Sequence, residues 1–229
     1  YTNFGTFAGN IMTSSNGISW TLQTPISGKQ FYSVTYGNGT YVIVGPDCIY
    51  TSSSYNGTWT SRTPVGSNIE WQSVTYGNNM FVAVSSSGNK KIMTSANGID
   101  NWTEQIFNAP YYNNGFLHSI IYDGPVGNKL FVAVGNGLYA QSCDMIYSSN
   151  GIDWNGVSIT GYNVWKSVTW NDTLQLFVAV AYEGPYNRVM TSPNGTTWTL
   201  RNSPSNFWVA VTSNSAKFVA IGASCAMTS

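Results

Sequence analysis

An Asn-Gly dipeptide followed closely by a tryptophan occurs five times along this chain: Asn16-Gly17 with Trp20, Asn56-Gly57 with Trp59, Asn97-Gly98 with Trp102, Asn150-Gly151 with Trp154, and Asn194-Gly195 with Trp198. The spacing is 40 to 53 residues. Recurrence at such a period means that one supersecondary unit is repeated and stacked on its neighbours, which limits the architecture more than any single motif would.

One unit is read best from Trp71 to Trp102. The runs W-Q-S-V-T-Y (71–76), M-F-V-A-V (80–84), K-I-M-T-S (91–95) and W-T (102–103) are each strand-sized. Val, Ile, Thr and aromatic residues fill them, and Gly, Asn, Ser and Pro separate them. No helical period is present. The tight Tyr-Gly-Asn and Asn-Gly turns need positive φ, which Gly and Asn adopt at least cost. Four antiparallel strands in a repeated unit of roughly 45 residues predict an all-β fold, a β-propeller of small twisted sheets packed face to face, with residues 1–229 as a single domain.

The stretches S-S-N-G-I-S-W-T (14–21), S-A-N-G-I-D-N-W-T (95–103), S-S-N-G-I-D-W (148–154) and S-P-N-G-T-T-W-T (192–199) resemble the Asp-box, or BNR, repeats of sialidase-like propellers. The resemblance runs over nearly the whole chain. It departs from the strict box S-x-D-x-G-x-x-W by carrying Asn for Asp, by a spacing one residue shorter in most copies, and by a further deletion at Tyr55–Trp59. In sialidases of this kind catalysis depends on an arginine triad, a tyrosine–glutamate pair and an aspartate. Here the three arginines, Arg62, Arg188 and Arg201, stand at unrelated positions of the repeat and no Arg-Ile-Pro segment is present, so the resemblance implies a non-catalytic member.

First-strand copies centre on Val34, Val74, Ile120, Val168 and Val211, giving five blades. The third-strand copy occurs six times, from Ile11–Ser14 to Ala226–Ser229, so one is surplus. Closure by pairing of N- and C-terminal strands, six blades with two of them incomplete, and pairing of the surplus strand with another subunit are the three ways to place it.

Composition bears on partners. Charged residues make up 8% of the chain, nine of each sign, against 42% hydrophobic and 15% aromatic. No basic field is available to hold a phosphate backbone, which argues against nucleic acid. The longest apolar runs are strand-sized, which argues against membrane insertion. The start lacks an initiator Met and a signal-like segment, as in a processed secreted chain or an excerpt. Cys48, Cys143 and Cys225 make no metal-ligand spacing with one another or with His118, the only histidine, so no metal or other cofactor is expected. Free or buried thiols are favoured over an inter-blade disulfide. Sequons stand at Asn38, Asn56, Asn101, Asn171 and Asn194, mostly at expected turn tips.

Three sets of residues compete for a functional role. The turn boxes (Asn16, Trp20, Asn56, Trp59, Asn97, Trp102, Asn150, Trp154, Asn194 and Trp198) read as scaffold, with Asn bonding turn N–H groups and Trp packing between sheets. At the opposite end lie the long, irregular loops, where binding on a rigid scaffold usually resides. They carry Tyr111, Tyr112, Asn113, Tyr139, Asp144, Tyr162, Tyr182, Glu183, Tyr186 and Arg188, aromatic faces beside amides and charges that suit sugars. The residues opening the inner strands, Phe31, Trp71, Leu117, Trp165 and Trp208, are a second tier at the channel mouth, explained better by packing. The better placed carboxylates, Asp47, Glu70, Glu104, Asp123, Asp144 and Glu183, read as solvated loop groups; a glycosidase would need two across one cleft.

The function expected from these features is lectin-like recognition of a glycan or glycoprotein surface, extracellular or surface-exposed (secreted, cell-surface or virion), with blade size like the five-bladed tachylectin-type propellers. The alternative is a structural subunit of a surface assembly, a filament, fibre or coat, using terminal strand exchange. A glycoside hydrolase comes third.

Overall fold

The computed structural model describes residues 8–87, 91–105, 115–137, 144–157, 159, 163–184, 187–223 and 226–228. Two short hairpins open the chain. Strands β1 (Ala8–Gly9) and β4 (Ile26–Ser27) pair with each other, and between them β2 (Met12–Thr13) pairs with β3 (Thr21–Leu22). Four complete antiparallel sheets follow in chain order. The first holds β5 (Ser33–Gly37), β6 (Thr40–Gly45), β7 (Cys48–Ser52) and β8 (Thr60–Arg62). The second holds β9 (Trp71–Gly77), β10 (Met80–Ser85), β11 (Ile92–Ser95) and β12 (Thr103–Gln105). The third is β13 (Gly115–Asp123), β14 (Leu130–Gly137), β15 (Met145–Ser148) and β16 (Asn155–Val157). The fourth is β17 (Trp165–Asn171), β18 (Leu176–Ala181), β19 (Val189–Ser192) and β20 (Thr199–Arg201). A three-stranded sheet of β21 (Trp208–Ser213), β22 (Phe218–Gly222) and β23 (Ala226–Thr228) ends the series. The all-β architecture of four-stranded blades read from the repeat is thus present.

Alternation along the second strand builds the core. In F-V-A-V of β10, Phe81 and Ala83 pack with Val42 and Val44 of the blade before, while Val82 and Val84 pack with Leu117 and Ile120 of the blade after. A strand buried on both faces must be apolar at every position, and this one is. Neighbouring inner strands are also joined by one repeated hydrogen bond. Ser33 Oγ accepts from Val74 N–H at 3.2 Å, Ser73 Oγ from Ile120 N–H at 3.3 Å, and Ser167 Oγ from Val211 N–H at 3.2 Å. The serine of the W-x-S-V motif is therefore an inter-blade clip.

The turn box forms as its sequence predicts. Asn150 Oδ1 accepts from the N–H groups of Ile152 and Asp153 at 2.9 Å each, Ser148 Oγ accepts from Gly151 N–H at 2.8 Å, and Trp154 Nε1 donates to Gly151 O at 2.9 Å. The same set recurs around Asn16, Asn97 and Asn194. The copy at Asn56 is shortened and loses it: Asn56 accepts from Ser54 Oγ instead, and the buried Trp59 Nε1 has no acceptor among the described residues. The glycines at 98, 151 and 195 have φ near 75° and sit against the second strand of the preceding blade.

Among the described residues no sheet joins the two ends of the series: β22 pairs with β23, and β2 pairs with β3. Cys48 is a buried free thiol, held up in pKa by that burial, whereas Cys143 and Cys225 lie outside the described residues. Asn171 does not suit a glycan, because it is 2% exposed and its side chain bonds Asn214, Thr173 and Leu174.

Candidate functional site

The loops between second and third strands and the leads into first strands share one end of the blades. Asp47 and Ile69 exchange hydrogen bonds there, with Asp47 N–H donating to Ile69 O and Ile69 N–H to Asp47 Oδ1, and Ser86 N–H donates to Glu70 O. In the fourth blade Val164 N–H donates to Glu183 O and Tyr182 N–H to Val164 O. This end is opposite the turn boxes, as the topology of a four-stranded meander requires.

Each of the four inner strands from β9 onward begins with a β-bulge at this end. The ladder passes from Trp71 to Ser73, from Leu117 to Ser119, from Trp165 to Ser167 and from Trp208 to Ala210, leaving Gln72, His118, Lys166 and Val209 as the extra residues. A bulge takes a residue off the ladder and re-aims its side chain. Two of the re-aimed groups, His118 and Lys166, meet across blades. Asn136 Oδ1 lies 3.2 Å from His118 Nε2, and Lys166 Nζ lies 3.2 Å from the same Nε2 and 3.5 Å from Nδ1. In the second blade Ser86 Oγ stands 3.0 Å from Gln72 Oε1 and 3.3 Å from Glu70 Oε2. Burial, and then the neighbouring Lys166 charge, push the His118 pKa down to about 4, leaving the imidazole neutral at pH 7. Burial also lowers the Lys166 pKa, while Glu183 acts in the opposite direction.

Beside this row, Tyr182 stacks on Phe207 with ring centroids 5.0 Å apart. The Arg188 guanidinium lies 5.4 Å from the Phe207 ring centroid and donates through Nη1 to Asn206 O at 2.7 Å and through Nη2 to Gly184 O at 3.3 Å. Phe207 remains 44% exposed although Tyr182 and the Arg188 guanidinium both lie against its ring.

Of the residues expected on the long loops, Tyr182 and Arg188 come together at Phe207, while Glu183 accepts from Val164 N–H through its backbone oxygen and its charge acts on Lys166. Asp144 does not join them: it is 4% exposed and accepts from Gly137 N–H at 3.1 Å, which makes it a loop brace. Tyr111, Tyr112, Asn113, Tyr139, Tyr162 and Tyr186 lie outside the described residues. The channel-mouth tier resolves toward packing, since Trp71, Leu117, Trp165 and Trp208 are fully buried between blades, and only Phe31 is partly exposed. The bulged residue is the next one along, and it is only partly buried at Gln72, His118 and Lys166. Its signal is in the sequence: within the motif aromatic-x-S-V, the x position reads Tyr32, Gln72, His118, Lys166 and Val209 while its neighbours barely change. Among the described residues no cluster of His, Cys, Asp and Glu could hold a metal ion.

No protein-family model matches the chain, and no curated protein matches it. Solved structures do. A catalytically inactive virginiamycin B lyase from Staphylococcus aureus with quinupristin superposes with a TM-score of 0.76 at 12% identity, over 96% of this chain and 73% of that one. An ancestral GH74 enzyme gives 0.68 at 16% identity, over 92% of this chain and 31% of that one. A YCF48 protein bound to a D1 peptide gives 0.61 at 17% identity, over 84% of this chain and 60% of that one, so this chain spans about three fifths of that neighbour's length. These neighbours, a lyase, a hydrolase-family enzyme and a peptide-bound YCF48 protein, have the β-propeller fold in common, and a β-propeller is what this chain forms.

Proposed function

We propose that this propeller is a non-catalytic recognition module that binds carbohydrate at the long-loop end of its blades. The observation that carries the reading is the row of bulged positions. Gln72, His118, Lys166 and Val209 vary along a scaffold whose neighbouring residues change little, and His118 and Lys166 meet on the side of the Tyr182–Phe207 pair, of which Phe207 is exposed. An aromatic face next to amide, imidazole and ammonium groups suits a sugar, whose C–H face stacks while its hydroxyls hydrogen-bond. Sites of this kind repeated around a propeller gain strength by multivalency.

The four full turn boxes support kinship with Asp-box propellers. The blade count that goes with this reading is five, the fifth being completed by an N-terminal hairpin. An extracellular or surface location fits a surface hydrated by Asn, Ser and Thr in place of charge. Among the described residues no helix is long and apolar enough to cross a membrane. Carboxylates at this end have local partners: Asp47 holds Ile69 N–H and Glu70 meets Ser86, a pattern that supports scaffolding over acid–base pairing.

A glycan array followed by titration tests the proposal. Binding is expected, weakened at least tenfold by Phe207→Ala and by Lys166→Gln, and unchanged by Trp20→Phe at the other end. A chain that binds peptides but no glycan, as the peptide-bound YCF48 neighbour would suggest, replaces carbohydrate with peptide at the same end. Glycoside hydrolysis lost on Glu183→Gln would reinstate an enzyme.

A further inference from the structure

Two lysines of the inner blades sit on carboxylates, and one sits on an imidazole. Lys91 forms an ion pair with Glu104, and Lys129 Nζ lies 2.9 Å from Asp123 Oδ1. A carboxylate in contact favours the ammonium form, and the hydrogen bond to Asp123 raises the Lys129 pKa. Among the described residues Lys166 has no carboxylate within ion-pair distance. The bulge between Trp165 and Ser167 takes it off the ladder, and its Nζ stands 3.2 and 3.5 Å from the two ring nitrogens of His118 on the blade before.

That imidazole is a proton acceptor. It is held in place by Asn136, whose Oδ1 lies 3.2 Å from Nε2, and it is neutral at pH 7. A neutral ring has one nitrogen lone pair, into which the Lys166 ammonium donates, so a proton leaving Nζ has somewhere to go. Burial favours the free amine of Lys166, and Glu183 opposes it. His118 on β13 and Glu183 after β18 are the titratable groups that act on this amine, since β21, packed on the other side of β17, carries none. The Lys166 side chain is only partly buried, so small molecules in solvent reach it.

We infer that Lys166 is a nucleophilic amine that captures aldehydes as an imine, with His118 as its proton acceptor. The Nζ lone pair adds to the carbonyl carbon and the C=O π pair moves onto oxygen. One N–H proton passes to His118 and on to that oxygen, giving a carbinolamine. The second N–H proton follows the same route to the hydroxyl, which leaves as water while the nitrogen pair closes the C=N bond. Amine and aldehyde thus become imine and water, with no oxidant or reductant. The open-chain form of a reducing sugar is one such aldehyde, but the chemistry does not depend on carbohydrate being the ligand at this end.

Glyceraldehyde with cyanoborohydride, which reduces an imine to a stable secondary amine, tests this on the full chain at pH 7, with labelled lysines mapped by mass spectrometry. Lys166 should label roughly tenfold or more faster than Lys29, Lys129 and Lys217, because each pKa unit changes the free amine about tenfold. Its lead should narrow toward about pH 10, where an ordinary lysine amine is free as well. His118→Gln, matched to the wild type by circular dichroism, should slow Lys166 roughly threefold or more and leave Lys29 unmoved. Lys166 labelling no faster than the exposed lysines at pH 7 overturns the inference, and a Lys166 rate unchanged by His118→Gln overturns the role of His118. The wild-type ranking needs no variant, so it stands even where His118→Gln misfolds. Methyl glycosides have no free aldehyde and read carbohydrate binding separately, so either proposal can fail without the other.

Discussion

Asn150 and Trp154 stabilise the chain through donors and acceptors that a turn would otherwise leave unpaired, and the five boxes form a natural substitution series. Trp154 donates its indole N–H to Gly151 O; in the shortened box the Nε1 of the partly buried Trp59 is shielded from solvent with no acceptor among the described residues. Removing a satisfied buried hydrogen bond costs about 1–2 kcal/mol, whereas removing an unsatisfied donor relieves a desolvation penalty. Trp154→Phe is therefore expected to lower stability by about that amount, and Trp59→Phe to leave it unchanged or raise it, as measured by urea denaturation. His118 gives a prediction in pH. Its folded pKa of about 4 lies below the unfolded value of about 6.5, so the unfolded chain binds the extra proton first and stability falls as pH drops through that window. Stability should be level above the unfolded value and decline below it, and His118→Asn should flatten the slope between pH 6.5 and 5. A slope unchanged in the variant would place the titration elsewhere.

Strands and turns were legible in the sequence because their causes are local. Period-two runs of Val, Ile and aromatic residues, broken by Asn-Gly, define β9 to β12 almost residue by residue, and Asn bonding within the turn follows from its side chain. The bulge at Gln72, His118, Lys166 and Val209 was less legible, since an extra residue on a strand appears only in the pairing register. The large aromatics Trp71, Trp165 and Trp208 dominate the motif in sequence, but they are buried, and the variable position stands beside them. The boxes also differ in what they touch. A Cβ on Gly98 would stand 2.7 Å from Val42 Cγ2, and its φ is 74°; Gly17 has φ 72° but open space around it. Gly17→Ala should cost about 1–2 kcal/mol from the backbone, and Gly98→Ala roughly 2–4 kcal/mol as overpacking against the preceding blade is added. Equal melting shifts for the two would mean that the boxes do not pack between blades.

At the scale of the molecule, a repeat divides the work between two ends. Turn boxes at one end hold blade to blade, and at the other end a bulge re-aims one residue on each inner strand from β9 onward. The relation between the first and last blades was not legible from the repeat, because six third-strand copies against five first-strand copies fit a ring, a larger ring or an exchange equally well. Three-dimensional exposure narrows this: Val34, Val219 and Met12 are uncovered at positions that every internal blade covers. The claim on which the rest depends is that the boxes are scaffold and the opposite end recognises the ligand. Indole N–H resonances from both sets of tryptophans make it directly measurable by NMR titration with chitotriose and lactose. The account predicts shifts at Trp71, Trp165 and Trp208 and at the backbone amides of Gln72, Lys166 and Phe207, with Trp20, Trp102, Trp154 and Trp198 unmoved. Shifts confined to the box tryptophans, or none at either end with either sugar, would contradict it.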